Sequence, residues 1–461
     1  MNLIYNLDDK PKFGQLIVFA FQQVLAIMAA TIAVPAIIGN GMSQSAALFG
    51  AGVGTLIYQL FTRFKSPVFL GSSFAFIGSM LAAFAGATSM GMGYLGLILG
   101  AVFAGLVYVV IALIVKAVGV NWIEKLMPAV VIGPTVAIIG LSLAGNAVGD
   151  MLKGGLQVEG ASVCSPYVAL VCALVTLFVV ILCSHYGKKM AKLIPFIIGI
   201  LAGYVVALIF TVIGDATGVD ALKVINFGAF KALFADGVTF GTFVSMPDFT
   251  FVEAIDGVKD FEWSYLGTIA AAYVPVAFVV FAEHIADHKN LSTIIGQNLL
   301  EEPGLSRTLL GDGVGSMAGA LFGGCPNTTY GESVGCVAIT RNASVITIMT
   351  AAIMTILISF VSPFVAFLST IPNCVMGGVC MTLYGFIAVS GLKMVQKVDL
   401  EQNKNVFVVS AILIAGIGGL SLTIGKVTIT SIACALILGI LVNVILNLKK
   451  ESPTQADTDN E

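Results

Sequence analysis

The chain has 461 residues, 58% hydrophobic and only 10% charged, with a formal net charge of −3 and a mean hydropathy of +1.01. A water-facing surface needs roughly a quarter of its residues charged, so an assembly of soluble domains is excluded and a polytopic membrane protein is implied. The near-neutral balance offers no basic surface to nucleic acid.

A hydrocarbon core of about 30 Å takes roughly 20 apolar helical residues per crossing. In chain order, apolar runs between charged, Gly, Pro or Asn breaks predict an all-α protein of fourteen spans: 14–38, 43–61, 68–86, 92–115, 126–147, 165–184, 193–214, 264–287, 307–323, 327–340, 343–369, 374–392, 404–421 and 427–447. Lys10 and Lys12 precede a run too long for a signal-peptide core, so 14–38 reads as a retained first span. The third and tenth runs are short or polar. With both termini in the cytoplasm, 17 of the 22 Lys and Arg fall in inner segments, among them Lys125, Lys189 and Lys192. The outer segments hold Lys153, Lys223, Lys231, Lys259 and Lys426. Such a split is what the positive-inside rule requires. Residues 215–262 read as a long, partly structured outer loop, and the tail 449–461 as disordered. Cys172, Cys183, Cys336, Cys380 and Cys434 sit in apolar runs and read as small apolar side chains, not as disulfide partners.

The chain carries a faint internal repeat. Pro128, Val131, Gly133 and Gly140 correspond to Pro372, Val375, Gly377 and Gly385. The two weak spans correspond as well, VFLGSSFAF at 68–76 and NTTYGESVG at 327–335. Seven spans per half is an odd number, so the second half lies inverted relative to the first. Inverted repeats with interrupted helices in matching positions point to a transporter's midplane site.

Each weak span reads as an extended stretch followed by a half-helix, because Pro326, Asn327 and two threonines disfavour helix until about Gly331. Extended backbone at membrane depth must find partners, and two such stretches can pair as a short antiparallel ladder. Each half-helix then begins near mid-membrane with its unpaired N–H groups facing a cavity. Intramembrane acids are costly and mark pathways; Glu283 and Glu332 are the clearest candidates. Counting 20 residues from Ser264 places Glu283 near the inner end of its span. Asp287, one turn later on the same face, reads as interfacial or as a supporting partner, and the role of Asp312 is open. His284 and His288 share a face but nothing completes a metal site, so they read as interface histidines. No GxxxxGK[ST] run supports ATP-driven transport, and no enzyme arrangement stands out.

At these residues the chain resembles the nucleobase–cation symporter-2 family, also called the nucleobase–ascorbate transporters, and within it the bacterial uracil permeases. GSSFAF at 71–76, AEH at 282–284, PNTTYGE at 326–332 and PNCVMGGVCMTLYG at 372–385 carry the likeness. It implies a core domain (14–116 and 263–370) that moves, elevator-like, against a gate domain (117–214 and 371–448), and a homodimer through the gate. It implies a proton-coupled uracil symporter of the bacterial cytoplasmic membrane, with sodium open as the coupling ion and no cofactor. A purine or xanthine symporter and an anion channel or exchanger of similar architecture are the alternatives. Substrate carboxylates fall on Glu283 and Glu332, and substrate-binding backbone amides on Phe74 and Gly331. Ser73, Tyr330 and Tyr384 match nearby positions, with Gln22 in the first-span motif. Proton coupling falls on Glu332, Glu283 and Asp287. Ser333, Gln23 and Asp287 stand where the family pattern has Asn, His and, in the uracil branch, often His.

Overall fold

The computed structural model describes residues 3–119, 122, 128–158, 161–188, 190–235, 237–424 and 427–448. The tail 449–461 and the basic positions Lys125, Lys189 and Lys426 lie outside the described residues. The first half holds α1 (Phe13–Ile38), α2 (Gln44–Phe61), α3 (Ile77–Ala85), α4 (Met90–Val118), α5 (Ala129–Ser142), α6 (Ala144–Met151), α7 (Pro166–Tyr186) and α8 (Pro195–Thr217). After a long connection come α9 (Thr250–Gly257), α10 (Trp263–Ile295), α11 (Leu305–Gly323), α12 (Gly331–Thr340), α13 (Val345–Ile358), α14 (Ser362–Thr370), α15 (Asn373–Val395), α16 (Asn403–Ile417) and α17 (Ser431–Leu448). Among the described residues, eight helices are long and apolar enough to cross a membrane, and shorter apolar helices lie at 74–85, 345–358 and 403–417.

Local chemistry sets the boundaries. Ser43 and Ser89 accept from Ala46 and Met92 backbone N–H groups and cap α2 and α4, satisfying donors that a helix start leaves open. Pro166 and Pro195 open α7 and α8, where the missing N–H costs nothing. Gly324, at φ +72°, ends α11 in the left-handed region, and Pro326 two residues on holds the chain extended.

Two short strands follow from such breaks. β1 (Leu70–Ser72) pairs antiparallel with β4 (Asn327–Thr329), Gly71 opposite Thr328. Two hairpins escape the sequence reading: β2 (Gln157–Val158) with β3 (Ala161–Ser162), and β5 (Leu422–Ile424) with β6 (Val427–Ile429). The second takes the first residues of the expected 427–447 span, because the β-branched run there favours strand, and α17 starts at Ser431. The expected 343–369 span is likewise two helices, α13 and α14, broken where Val361 bridges to Val244 of the connection between α8 and α9.

The helices pack as two groups. α1, α2 and α4 lie against α10, α11 and α13, while α5 to α8 lie against α15 to α17. Small residues allow the closest approach, as expected where helices meet in lipid. α2 meets α11 through Gly50 and Gly54 against Gly315, Gly319 and Gly323. Asn327, at the start of β4, is wedged there, its Nδ2 donating to the Gly50 carbonyl at 3.0 Å.

A Cβ on Gly54 would sit 2.7 Å from the Gly315 carbonyl oxygen. Gly54→Val is therefore expected to lower stability by about 1–3 kcal/mol or more through overpacking, read as a lower thermal unfolding midpoint of the detergent-solubilised protein. An unchanged midpoint would show that α2 and α11 separate freely.

Candidate functional site

The crossing of β1 and β4 is held from several sides. Thr55 of α2 accepts from the Leu70 N–H at 2.9 Å, and Gln59 donates to the Ser66 and Val68 carbonyls at 2.8 and 3.1 Å. Ser73 N–H donates to the Pro326 carbonyl at 2.9 Å, and Tyr330 N–H to that of Phe69 at 3.2 Å. The Tyr330 ring covers Gly71, leaving no room for a side chain there, and its hydroxyl donates to the Ser72 carbonyl at 2.7 Å. Ser333 Oγ accepts from the Phe69 N–H at 3.0 Å and from Gln23 Nε2. Two of the three departures from the family pattern, Gln23 and Ser333, thus bind each other and tie α1 and α12 to the residue before the strand.

With the strands satisfied, two helical starts face the same space. Phe74 begins the turn leading into α3, and Gly331 begins α12; first-turn N–H groups have no intrahelical acceptor. Both residues line a cavity of about 420 Å³, together with Glu283, Asp287, Thr328, Thr329, Tyr330 and Glu332. The size falls within the range of about 300–1,000 Å³ usual for small-molecule sites. The facing wall is apolar at its centre, with Val136 and Ile139 from α5 and Leu383, Phe386 and Ile387 from α15. The cavity lies between the two helix groups.

The structure corrects the depth count for Glu283. α10 runs through Pro275 as one element and continues twelve residues past Glu283 to Ile295, so that residue is interior to its helix and lines the cavity. Asp287 is also a lining residue. Thr329 Oγ1 donates to Asp287 Oδ2 at 2.8 Å, and a Cβ on Gly331 would be 3.9 Å from Asp287 Oδ1. Ser73 is buried beside Phe74 without being a lining residue. Tyr384 backs the Phe74 ring edge-on, centroids 5.9 Å apart. Sequence reasoning missed the two threonines and the apolar wall. Thr328, buried and lining the cavity, has no partner for its hydroxyl.

The interface reading of the histidines is overturned. His284 and His288 are fully buried and stack at 4.1 Å, because their shared face turns toward α2 and α11 and away from the membrane edge. His284 Nδ1 lies 2.6 Å from Asp312 Oδ2 and its Nε2 3.0 Å from Thr308 Oγ1, both within hydrogen-bond distance. His288 Nδ1–H donates to the His284 carbonyl at 2.8 Å, which leaves Nε2 to accept from the Tyr58 hydroxyl at 2.7 Å. Ser66 lies 2.7 Å from that hydroxyl. Every ring nitrogen is engaged, so the pair has none free for a metal, and Asp312 acquires a role in anchoring α10 to α11.

A sequence profile described as the permease family matches residues 14–425. The uracil permease of Bacillus caldolyticus is 38% identical, over 99% of this chain and 98% of that one. The uracil permease of Bacillus subtilis is 36% identical, over 98% and 97%. Among solved structures, the transmembrane domain of a cyanobacterial bicarbonate transporter superposes with a TM-score of 0.60 at 15% identity, covering 96% of this chain and all of that one. That likeness shows the fold alone.

Tyr58→Phe leaves buried His288 Nε2 with only the longer contact to Ser66 Oγ, at 3.4 Å, which costs about 1–3 kcal/mol. The expected result is a clear fall in the thermal unfolding midpoint while the cavity-lining residues are untouched. A midpoint equal to that of the unaltered chain would mean that the tyrosine–histidine bond contributes nothing.

Proposed function

The chain belongs to the xanthine/uracil permease family of membrane transporters, and on that premise we propose that it is a proton-coupled uracil symporter of the bacterial cell membrane. One observation carries the reading: the carboxyl groups of Glu283 and Glu332 and the helix starts at Phe74 and Gly331 converge on one cavity between the two helix groups. Uracil is flat and neutral, with two ring N–H donors and two carbonyl acceptors. Carboxylates accept from the ring N–H groups and first-turn amides donate to the carbonyls, so both kinds of edge find partners. Phe74 and the apolar wall cover the ring. Phosphate-free, uncharged cargo also accounts for a cavity that three acids line; an anion would meet repulsion there.

Glu283 serves as the main substrate acceptor, while Glu332 and Asp287 give a proton a place to bind and leave during a cycle. The topology completing this reading is fourteen spans in two inverted halves of seven, with the helices of 14–116 and 263–370 as a moving core. Those of 117–214 and 371–448 form the gate, which also holds a homodimer together. The packing of α1, α2 and α4 on α10, α11 and α13 supports the division. So does the apolar gate wall, against which a core can slide without unpairing polar groups. The cavity extends along α12 to Ile339 and along α15 to Met394, and reaches Lys192. Those ends lie beside the basic residues assigned to the cytoplasm, so the conformation is an inward-facing one.

The test is uptake of labelled uracil into proteoliposomes under an imposed proton or sodium gradient, with Glu283→Gln alongside. An inward proton gradient is expected to drive accumulation, an ionophore to abolish it, and Glu283→Gln to reduce binding by about tenfold or more, the loss of a charge-assisted bond. Accumulation that follows sodium alone, or unaltered affinity in Glu283→Gln, would refute the respective assignment.

A further inference from the structure

The outer connection between α8 and α10 is fixed at both ends. On one side Thr211 Oγ1 accepts from Val224 and Ile225 N–H at 3.1 and 3.0 Å, and the Val224 carbonyl accepts from Gly155 N–H at 2.7 Å. On the other side Phe249 packs into an aromatic cluster with Phe49, Phe251 and Phe322, ring centroids 4.8 to 5.7 Å away. Between these anchors runs GVTFGTFVSMP, residues 237–247, eleven residues without a single charge. The charges of the connection sit outside it, at Asp215, Asp220, Lys223, Lys231, Asp248, Glu253, Asp256, Lys259 and Asp260 among others.

This run turns its apolar side chains outward. Val238 is 72% exposed, Phe240 80%, Phe243 56% and Met246 71%. An aqueous loop has no reason to display such a contiguous apolar surface. The run is bonded to the link between α13 and α14: Val244 bridges to Val361, Ser245 N–H donates to the Phe360 carbonyl and Ser362 N–H to that of Phe243, both at 3.0 Å. The bridged Val244 and Val361 are themselves exposed, and α13, which ends at Ile358 three residues before Val361, exposes Ile353 and Leu357, so exposed apolar side chains follow one another from the run to the end of an apolar helix. Trp263, 80% exposed at the start of α10, stands at the kind of boundary where tryptophan is enriched.

We propose that residues 237–247 are seated in the outer membrane interface, their apolar side chains inserted among lipid acyl chains, and are not a water-exposed loop. The occupant of this surface is lipid, argued from its continuity with the exposed flank of α13 and from a charge-free run flanked by charged stretches that stay in water. A segment of this kind lies about 5–10 Å deep at the headgroup boundary.

The chain has two tryptophans, Trp122 and Trp263. With both replaced by Phe, F240W places a single reporter in the run, and V238W in the same background gives a second should the first not fold; labelled-uracil uptake checks that each protein is intact. In proteoliposomes the reporter is expected to lose most of its emission to lipids brominated close to the headgroup and little to aqueous iodide. Strong quenching by iodide with none by brominated lipid would overturn the proposal in favour of a loop in water. Protection from both quenchers would overturn it in favour of a second copy of the chain covering the surface.

Discussion

Extended backbone buried among membrane helices is the constraint on which the rest of this structure depends. Each unsatisfied N–H or C=O there costs several kcal/mol, and β1 and β4 expose both kinds of group. Pairing the strands with each other settles only the edges that face one another. Thr55, Gln59, Ser333 and the Pro326 and Phe69 carbonyls take the groups that remain. The side-chain partners come from α2 and the start of α12, and Gln23 of α1 binds Ser333 in turn, so the crossing draws three helices together. Glycine at 50, 54, 315 and 319 is the corollary, since only bare backbone lets α2, α11 and Asn327 fit side by side.

The same arrangement creates the cavity as a by-product of its own geometry. A buried strand that runs on into a helix leaves the helix start inside the protein, and a helix start offers free N–H groups. Phe74 and Gly331 occupy those starts. α10 brings Glu283 and Asp287 alongside, and Thr329, itself part of β4, holds Asp287 by a hydrogen bond. Behind them the two stacked histidines, Asp312 and Tyr58 form a dry polar seam that joins α10 to α2 and α11. The polar wall of the cavity is therefore stiff, while the opposite wall of Val136, Ile139 and Leu383 is apolar and holds it by contact alone.

Much of this is legible in the chain itself. The clash between β-branched, Pro and Asn residues and helix at 68–73 and 325–330 announces both strands and their following half-helices. The AEH and PNTTYGE runs single out Glu283 and Glu332. Helix length is harder to read: α10 continues into the polar stretch after Asp287 with one face, His288 and Leu291, buried against the rest of the protein, so a count of apolar residues ends it too early. The histidines fail for a related reason. Spacing shows that His284 and His288 share a face, but only packing shows that α2 and α11 cover it. The charge-free run at 237–247 reads as loop by its glycines and proline, and its apolar exposure emerges only once both ends are anchored.

Recognition of uracil by both of its ring N–H groups is the central claim, and binding of uracil, 1-methyluracil and 3-methyluracil to the purified protein measures it most directly. Each methyl group removes one donor and leaves both carbonyls in place. If carboxylates accept from both positions, each methylated base binds at least about tenfold more weakly than uracil, the loss expected when a buried charged acceptor goes unpaired. Equal affinity for all three would contradict the claim and leave the acids around the cavity without a part in recognition.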